Sequence, residues 1–264
     1  MIPKFNLLGF ILCCCTVACT TTTTSEQPEG VRIVSLSPGI TATVVDIGYG
    51  ELVVGRSAFC TAIDREVPVV GDLLQIDYER LLRLAPSDVF LQTTSTGRDS
   101  HLSKLADDGH FVLHSWRVDR LSDIQLLHRD LSKLLGSQEK GLQFSLDQED
   151  EQVLPTTLIM TTGSGGNAGL CFGRQTYLGD LLELMGGKNA LQSDGWVMLS
   201  LEDIGKLQPE LIVVVADSTI PESSLAAIKS LQIPIAPFEH SDALIPSSKI
   251  MDVANALQQL VSVE

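Results

Sequence analysis

The stretch from Asp119 to Leu154 reads DRLSDIQLLHRDLSKLLGSQEKGLQFSLDQEDEQVL. Its first part places Leu121, Ile124, Leu127, Leu131, Leu134 and Leu135 at helical spacing and stops at Gly136. The polar, strongly charged remainder, Ser137 to Gln152, reads as a helical bridge. The segments on either side follow one plan: an apolar strand, a Glu-led helix, a proline, another apolar strand. Glu79 is followed by Leu84, Pro86 and the strand Asp88-Val-Phe-Leu91, and Glu202 by Leu207, Pro209 and the strand Leu211-Ile-Val-Val-Val215. The offset is 123 residues each time (202 − 79, 207 − 84, 209 − 86). Such a repeat predicts two copies of one α/β unit, Rossmann-like in its strand–helix alternation, joined by a helix.

Counting outward from the bridge gives an N-terminal lobe over residues 31–118, a connecting segment over 119–154 and a C-terminal lobe over 155–264. A chain of 264 residues has room for two cores. Its formal net charge is −15, and loss of a leader carrying only Lys4 would make it −15 − 1 = −16. That balance repels nucleic-acid phosphates and anionic headgroups, so a DNA- or RNA-binding role is not expected.

Residues 1–18 read as an export signal: Lys4 supplies the positive end, and the apolar run Phe5 to Ala18 falls short of the roughly 20 residues a spanning helix needs. Thr16-Val17-Ala18-Cys19 resembles a lipobox, which makes Cys19 the lipidated residue and 19–30 a polar tether. The expected location is outside the cytoplasm, in the periplasm or at the cell surface, anchored to a membrane by lipid. Beyond Cys19 only Cys60 and Cys171 remain, one in each half. They could pair in an oxidising compartment, but nothing in the spacing brings their Cα atoms within bridging distance, and free thiols are the preferred reading.

Val31 to Leu36 alternates as a strand, and Ser37-Pro38 supplies a cap residue and a first-turn proline for the helix ending at Gly48. In the second half Thr157 to Met160 is a strand, Gly163 to Gly169 a glycine-rich loop, Thr176 to Met185 a helix stopped by Gly186-Gly187, and Trp196 a loop residue. Ser200 can cap the Glu202 helix, and Lys249 to Ser262 is a terminal amphipathic helix.

With these residues laid out, the chain resembles the class III, helical-backbone, substrate-binding proteins of ABC importers, of the cobalamin and ferric-siderophore type. The likeness rests on Arg32-Ile-Val-Ser-Leu-Ser-Pro38, Val67-Pro-Val-Val-Gly71, Tyr78-Glu79 through Leu84-Ala-Pro86, Tyr177 to Gly187, and Leu201-Glu202 to Pro209. It implies a monomeric protein without catalytic residues, two lobes bridged by a helix with a ligand cleft between them that holds a metal chelate: a corrinoid such as cobalamin, or alternatively a ferric siderophore or haem. It also implies delivery to a permease dimer with its ATPase. By position it assigns Phe59, Cys60, Leu73, Phe172, Trp196 and Asp242 to the ligand, and Glu79 and Glu202 to permease docking. An indole face pressed on a flat ligand removes about 200 Å² from water, worth up to about 5 kcal/mol. A tryptophan serving only the core, and a glutamate serving only its helix dipole, are the plainer alternatives. Family members give the bridging helix more residues than the 16 between Ser137 and Gln152.

Three other classes are weaker. Gly163-x-Gly165-x-x-x-Gly169 misses the dinucleotide spacing, and there is no Gly-Lys-Ser/Thr phosphate loop. His101, His110 and His114 invite a zinc or manganese reading, but belong to a helix, a strand start and a strand end, from which convergence is not expected. No G-x-S-x-G elbow supports hydrolysis. An envelope lipoprotein that kept the fold without transport is the remaining alternative, with the short bridge as its argument.

Overall fold

The computed structural model describes residues 30–72, 75–93, 99–138, 141–145, 154–163 and 169–262. The N-terminal lobe is built from β1 (Ile33–Ser35), α1 (Pro38–Asp46), β2 (Val53–Ser57), β3 (Val69–Gly71), α2 (Tyr78–Arg83), β4 (Asp88–Gln92), α3 (Ser100–Asp107) and β5 (Val112–Trp116). Its five strands lie in the order β3-β2-β1-β4-β5, with parallel pairing throughout. Then come α4 (Leu121–Leu135), β6 (Thr156–Thr161), β7 (Leu170–Phe172), α5 (Tyr177–Leu184), β8 (Lys188–Asn189), β9 (Trp196–Met198), α6 (Leu201–Leu207), β10 (Leu211–Ala216), α7 (Glu222–Lys229), β11 (Ile235–Glu239) and α8 (Ile250–Ser262). The second sheet has the order β11-β10-β6-β7-β9, with β8 beside β6.

The repeat extends well beyond the motif that revealed it. The starts of β1 and β6, α2 and α6, β4 and β10, and β5 and β11 are each offset by the same 123 residues (156 − 33, 201 − 78, 211 − 88, 235 − 112). The caps match too: Asp77 accepts a hydrogen bond from Arg80 N–H, and Ser200 accepts one from Asp203 N–H. Ala85 and Gln208, each just before the proline, share a left-handed backbone, with φ of 45° and 48°.

Alternate residues of each sheet feed opposite layers, as the two-residue side-chain period of a strand requires. In the C-terminal lobe Ile159, Val213 and Val215 pack with Leu178 and Leu181 of α5 and Val253 and Leu257 of α8. Leu158, Met160, Ile212 and Val214 pack on the other face with Ile204 of α6 and Leu225 and Ile228 of α7. The N-terminal lobe repeats the three layers, with Ile40 and Val44 of α1 on one face and Leu81 of α2 and Leu102 of α3 on the other.

The connection between lobes differs from the sequence expectation. Gly141–Ser145, the described middle of the expected bridge, carry no helix. Leu142 and Phe144 instead lie half-buried against the C-terminal core, and the Gln125 side chain donates to the Leu142 carbonyl at 3.3 Å. The rod that touches both lobes is α4. Leu121 and Ile124 sit in the C-terminal core, whereas Leu127, Leu131 and Leu135 sit in the N-terminal core. Fifteen residues at 1.5 Å each make this helix about 22 Å long. It ends at Gly136 in a left-handed conformation, φ 77°, which a glycine adopts without side-chain strain. At its start Arg120 grips Asp180 of α5 with two hydrogen bonds, of 3.0 and 2.8 Å, and Leu121 N–H donates to the same carboxylate.

The second lobe also departs from a simple parallel series. β7 pairs antiparallel with β6 and with β9, so Leu170-Cys171-Phe172 form a strand directly after the glycine-rich loop, and Trp196 lies on a strand where a loop was expected. Short β runs of this kind are stabilised by cross-strand partners distant in sequence, which a local reading cannot supply. Ser37 precedes α1 as expected, but its hydroxyl donates to Gln92 Oε1 at 3.2 Å rather than capping the helix.

Candidate functional site

The lobes meet at the C-terminal ends of their strands. α1 starts just past the end of β1, and the loop that follows β11 lies against it: Ser248 N–H donates to Thr43 Oγ1 at 3.3 Å. A side chain on Gly39 would come within 2.2 Å of the Pro246 carbonyl, so this close approach needs glycine. Open α/β sheets present their ligand crevices at these strand ends. The described loops at this edge follow β1, β2 and β5 on one lobe and β10 and β11 on the other.

Two of the predicted ligand residues present large exposed rings. Phe59, in the loop just past β2, is 64% exposed, and Trp196, on the edge strand β9, is 39% exposed. Asp242 stands half-buried in the loop after β11; its N–H donates to His240 Nδ1 at 3.1 Å. Trp196 thus lies on one edge strand of the C-terminal sheet and Asp242 just past the other, the two edge strands being four strand spacings or roughly 19 Å apart. A span of that order suits a large ligand.

Cys60 and Phe172 are placed differently from a ligand-lining expectation. Cys60 is buried, and its sulfur receives a hydrogen bond from Thr41 Oγ1 at 3.0 Å. Burial pushes its thiol pKa up, against smaller opposing hydrogen bonds from Thr41 and Ser57. Phe172 is buried in the core with its ring edge-on to Tyr177, because the side of β7 that carries it faces α5. Cys171 is buried and free like Cys60, its thiol pushed up to about 12 by burial. Leu73 and Cys19 lie outside the described residues, as do most of the glycine-rich loop and the proposed leader.

Glu79 and Glu202 occupy equivalent second positions of α2 and α6, with side chains 84% and 79% exposed. Each reaches a cation one turn later, Arg83 at 2.5 Å and Lys206 at 2.7 Å. The two carboxylates are thus displayed in like fashion, one on each lobe.

The histidines do not converge. His114 Nε2 lies 2.7 Å from Asp88 Oδ1 and its ring stacks on Trp116, while the ring of His101 meets Tyr78 edge-on at 4.3 Å. Among the described residues no group of three His, Cys, Asp or Glu is placed to hold a metal ion. A feature missed in sequence is Met198, 63% exposed on the same side of β9 as Trp196. Its signal was the alternation Trp196-Val197-Met198, visible once those residues are read as a strand.

The model of the family described as periplasmic binding protein matches residues 33–227, most of the chain. The protein belongs to that family. A relative in Bacillus subtilis (strain 168), described as an uncharacterized ABC transporter substrate-binding lipoprotein, YvrC, is 28% identical over 212 residues, covering 71% of this chain. The chain spans 64% of that relative's length. Solved structures share the two-lobe architecture. The periplasmic haem-binding protein BhuT in complex with two haems superposes with a TM-score of 0.70 at 16% identity, covering 88% of this chain and 98% of that one. A periplasmic haem-binding protein from Pseudomonas aeruginosa gives 0.68 at 17% identity, with 88% and 92% covered. The periplasmic vitamin B12-binding protein BtuF of Vibrio cholerae gives 0.61 at 18%, with 88% and 96% covered. At these identities the likeness speaks for the fold alone. Among the described residues, no helix is long and apolar enough to cross a membrane.

Proposed function

We propose that this protein is the substrate-binding lipoprotein of an ABC importer and captures a flat tetrapyrrole metal chelate between its lobes. The observation that carries this reading is the pair of exposed rings, Phe59 in the loop just past β2 of one lobe and Trp196 on the edge strand β9 of the other. Exposed aromatic faces of this size are costly to leave in water unless a ligand covers them. Family membership and the relative described as a substrate-binding lipoprotein support the transport role. Solved structures of the same fold named for haem and for vitamin B12 support the ligand class. A corrinoid is the reading drawn from the sequence; haem is the second, favoured by the haem-binding proteins among those structures.

In this reading Cys19 carries the lipid anchor outside the cytoplasm, and the protein works as a monomer. Glu79 and Glu202 meet the permease. An exposed ion pair contributes only about 0 to 1 kcal/mol, so two separated carboxylates chiefly set orientation and partner choice. Nothing in the site calls for chemistry on the ligand; the protein's task is capture and release.

Titration with cobinamide, cobalamin and haemin, followed by tryptophan fluorescence, tests the proposal. Quenching with submicromolar affinity by at least one of them is expected, and Trp196→Ala should weaken it more than tenfold. Absence of binding by all three would refute the ligand class; a response to ferric siderophores alone would transfer the protein to that branch of the family.

A further inference from the structure

Met198 stands where a thioether has no structural duty. Register places it at the cleft-facing end of the second sheet: Met160 of β6 pairs Cys171, and Leu170 pairs Met198. It is therefore level with Thr161, the last residue of β6. Trp196 lies two residues away on the same side of the strand, about 7 Å along it. A methionine this exposed forgoes the burial its side chain usually gains, so a flat ligand lying along this edge would meet an indole face and a soft sulfur donor together.

Among the described residues, the other sulfur and imidazole donors near these strand ends are engaged or hidden. Cys60 and Cys171 are buried thiols. His240 Nδ1 accepts the Asp242 N–H, which leaves the hydrogen on Nε2, so that nitrogen offers no lone pair to a metal. Met160 is fully buried.

We propose that the Met198 sulfur is an axial ligand to the metal of the bound chelate, which selects an iron porphyrin over the other members of the ligand class. A thioether is a soft donor that binds iron in a porphyrin by displacing water from an open axial position, without any change of oxidation state. A ferric siderophore surrounds its iron with hard oxygen donors, and cobalamin carries its own axial ligands, so neither offers that position. This inference rests on the tetrapyrrole reading, and its test separates the two.

Wild type and Met198→Leu, a substitution that nearly conserves volume, are titrated with haemin and with metal-free protoporphyrin IX, and the haem complexes are reduced for absorption spectra. Wild type should give a reduced spectrum distinct from that of haemin free in the same buffer. Met198→Leu should lose that spectrum and bind haemin at least tenfold more weakly, while its affinity for metal-free protoporphyrin stays within twofold. Met198→His should restore axial ligation, as a histidine-ligated complex with bands at different positions. An unchanged spectrum and haemin affinity in Met198→Leu would overturn the ligation and leave the tetrapyrrole reading standing. Equal losses for haemin and metal-free porphyrin would overturn it in favour of packing. Failure of wild type to bind either porphyrin would overturn the ligation, and cobinamide binding then decides whether the tetrapyrrole reading falls with it.

Discussion

Ile124 and Leu131 sit two turns apart on one helix, yet they belong to different cores. If α4 is what makes two lobes behave as one body, a cavity at either end of it should be felt throughout the molecule. Ile124→Ala removes a fully buried side chain from the C-terminal core, at a cost of about 2 to 5 kcal/mol. With a urea dependence of about 3 kcal/mol per molar, that cost lowers a shared unfolding midpoint by roughly 0.7 to 1.7 M. The chain supplies its own reporters. It has two tryptophans, Trp116 on β5 of the first lobe and Trp196 on β9 of the second. Single-tryptophan proteins, Trp116→Phe and Trp196→Phe, report the second and the first lobe in turn. Urea unfolding followed by fluorescence in each background should show both reporters shifting together when Ile124→Ala is added. If the Trp196 transition moved and the Trp116 transition stayed in place, α4 would be a passenger on two independent domains.

Replacement of both Glu79 and Glu202 by glutamine should lower ligand-stimulated ATPase coupling by up to about thirtyfold at low salt, from two pairs of up to about 1 kcal/mol each. Ligand affinity should change less than twofold; unchanged coupling in membrane vesicles would remove the docking assignment. Asp88 offers a pH test. Burial pushes its carboxyl up, but hydrogen bonds from His114 and Ser87 and the charge of His114 outweigh this and hold it below the ordinary value. Its contribution to stability is therefore present above the unfolded-state pKa, about 3.9, and is lost as pH falls through the folded value. Asp88→Asn should cost about 1 to 3 kcal/mol at pH 7 and progressively less toward pH 3, as measured by denaturant midpoints; a cost independent of pH would show that charge plays no part there.

The two-lobe plan was legible in sequence because it is written twice. Glu, proline and strand recur at one offset, and the caps Asp77 and Ser200 recur with them, since equivalent helices need equivalent ends. The central strands were equally plain, because a strand buried on both faces must be apolar along its length, as Leu211 to Val215 is. The exposed glutamates could be placed for the same reason: the first turn of a solvated helix fixes its side chains locally.

What tertiary structure alone decided lies where local pattern is short or shared. Phe172 and Trp196 are both aromatic residues on three-residue strands. Only the pairing of β7 between β6 and β9 buries the first and leaves the second at an edge. The spanning role of α4 was hidden too, since a single apolar stripe cannot say that its first turn serves one core and its last two turns another. Sequence sets which surfaces seek burial; which partners they find is settled by contacts between segments more than 50 residues apart, such as Arg120 with Asp180 and Thr43 with Ser248.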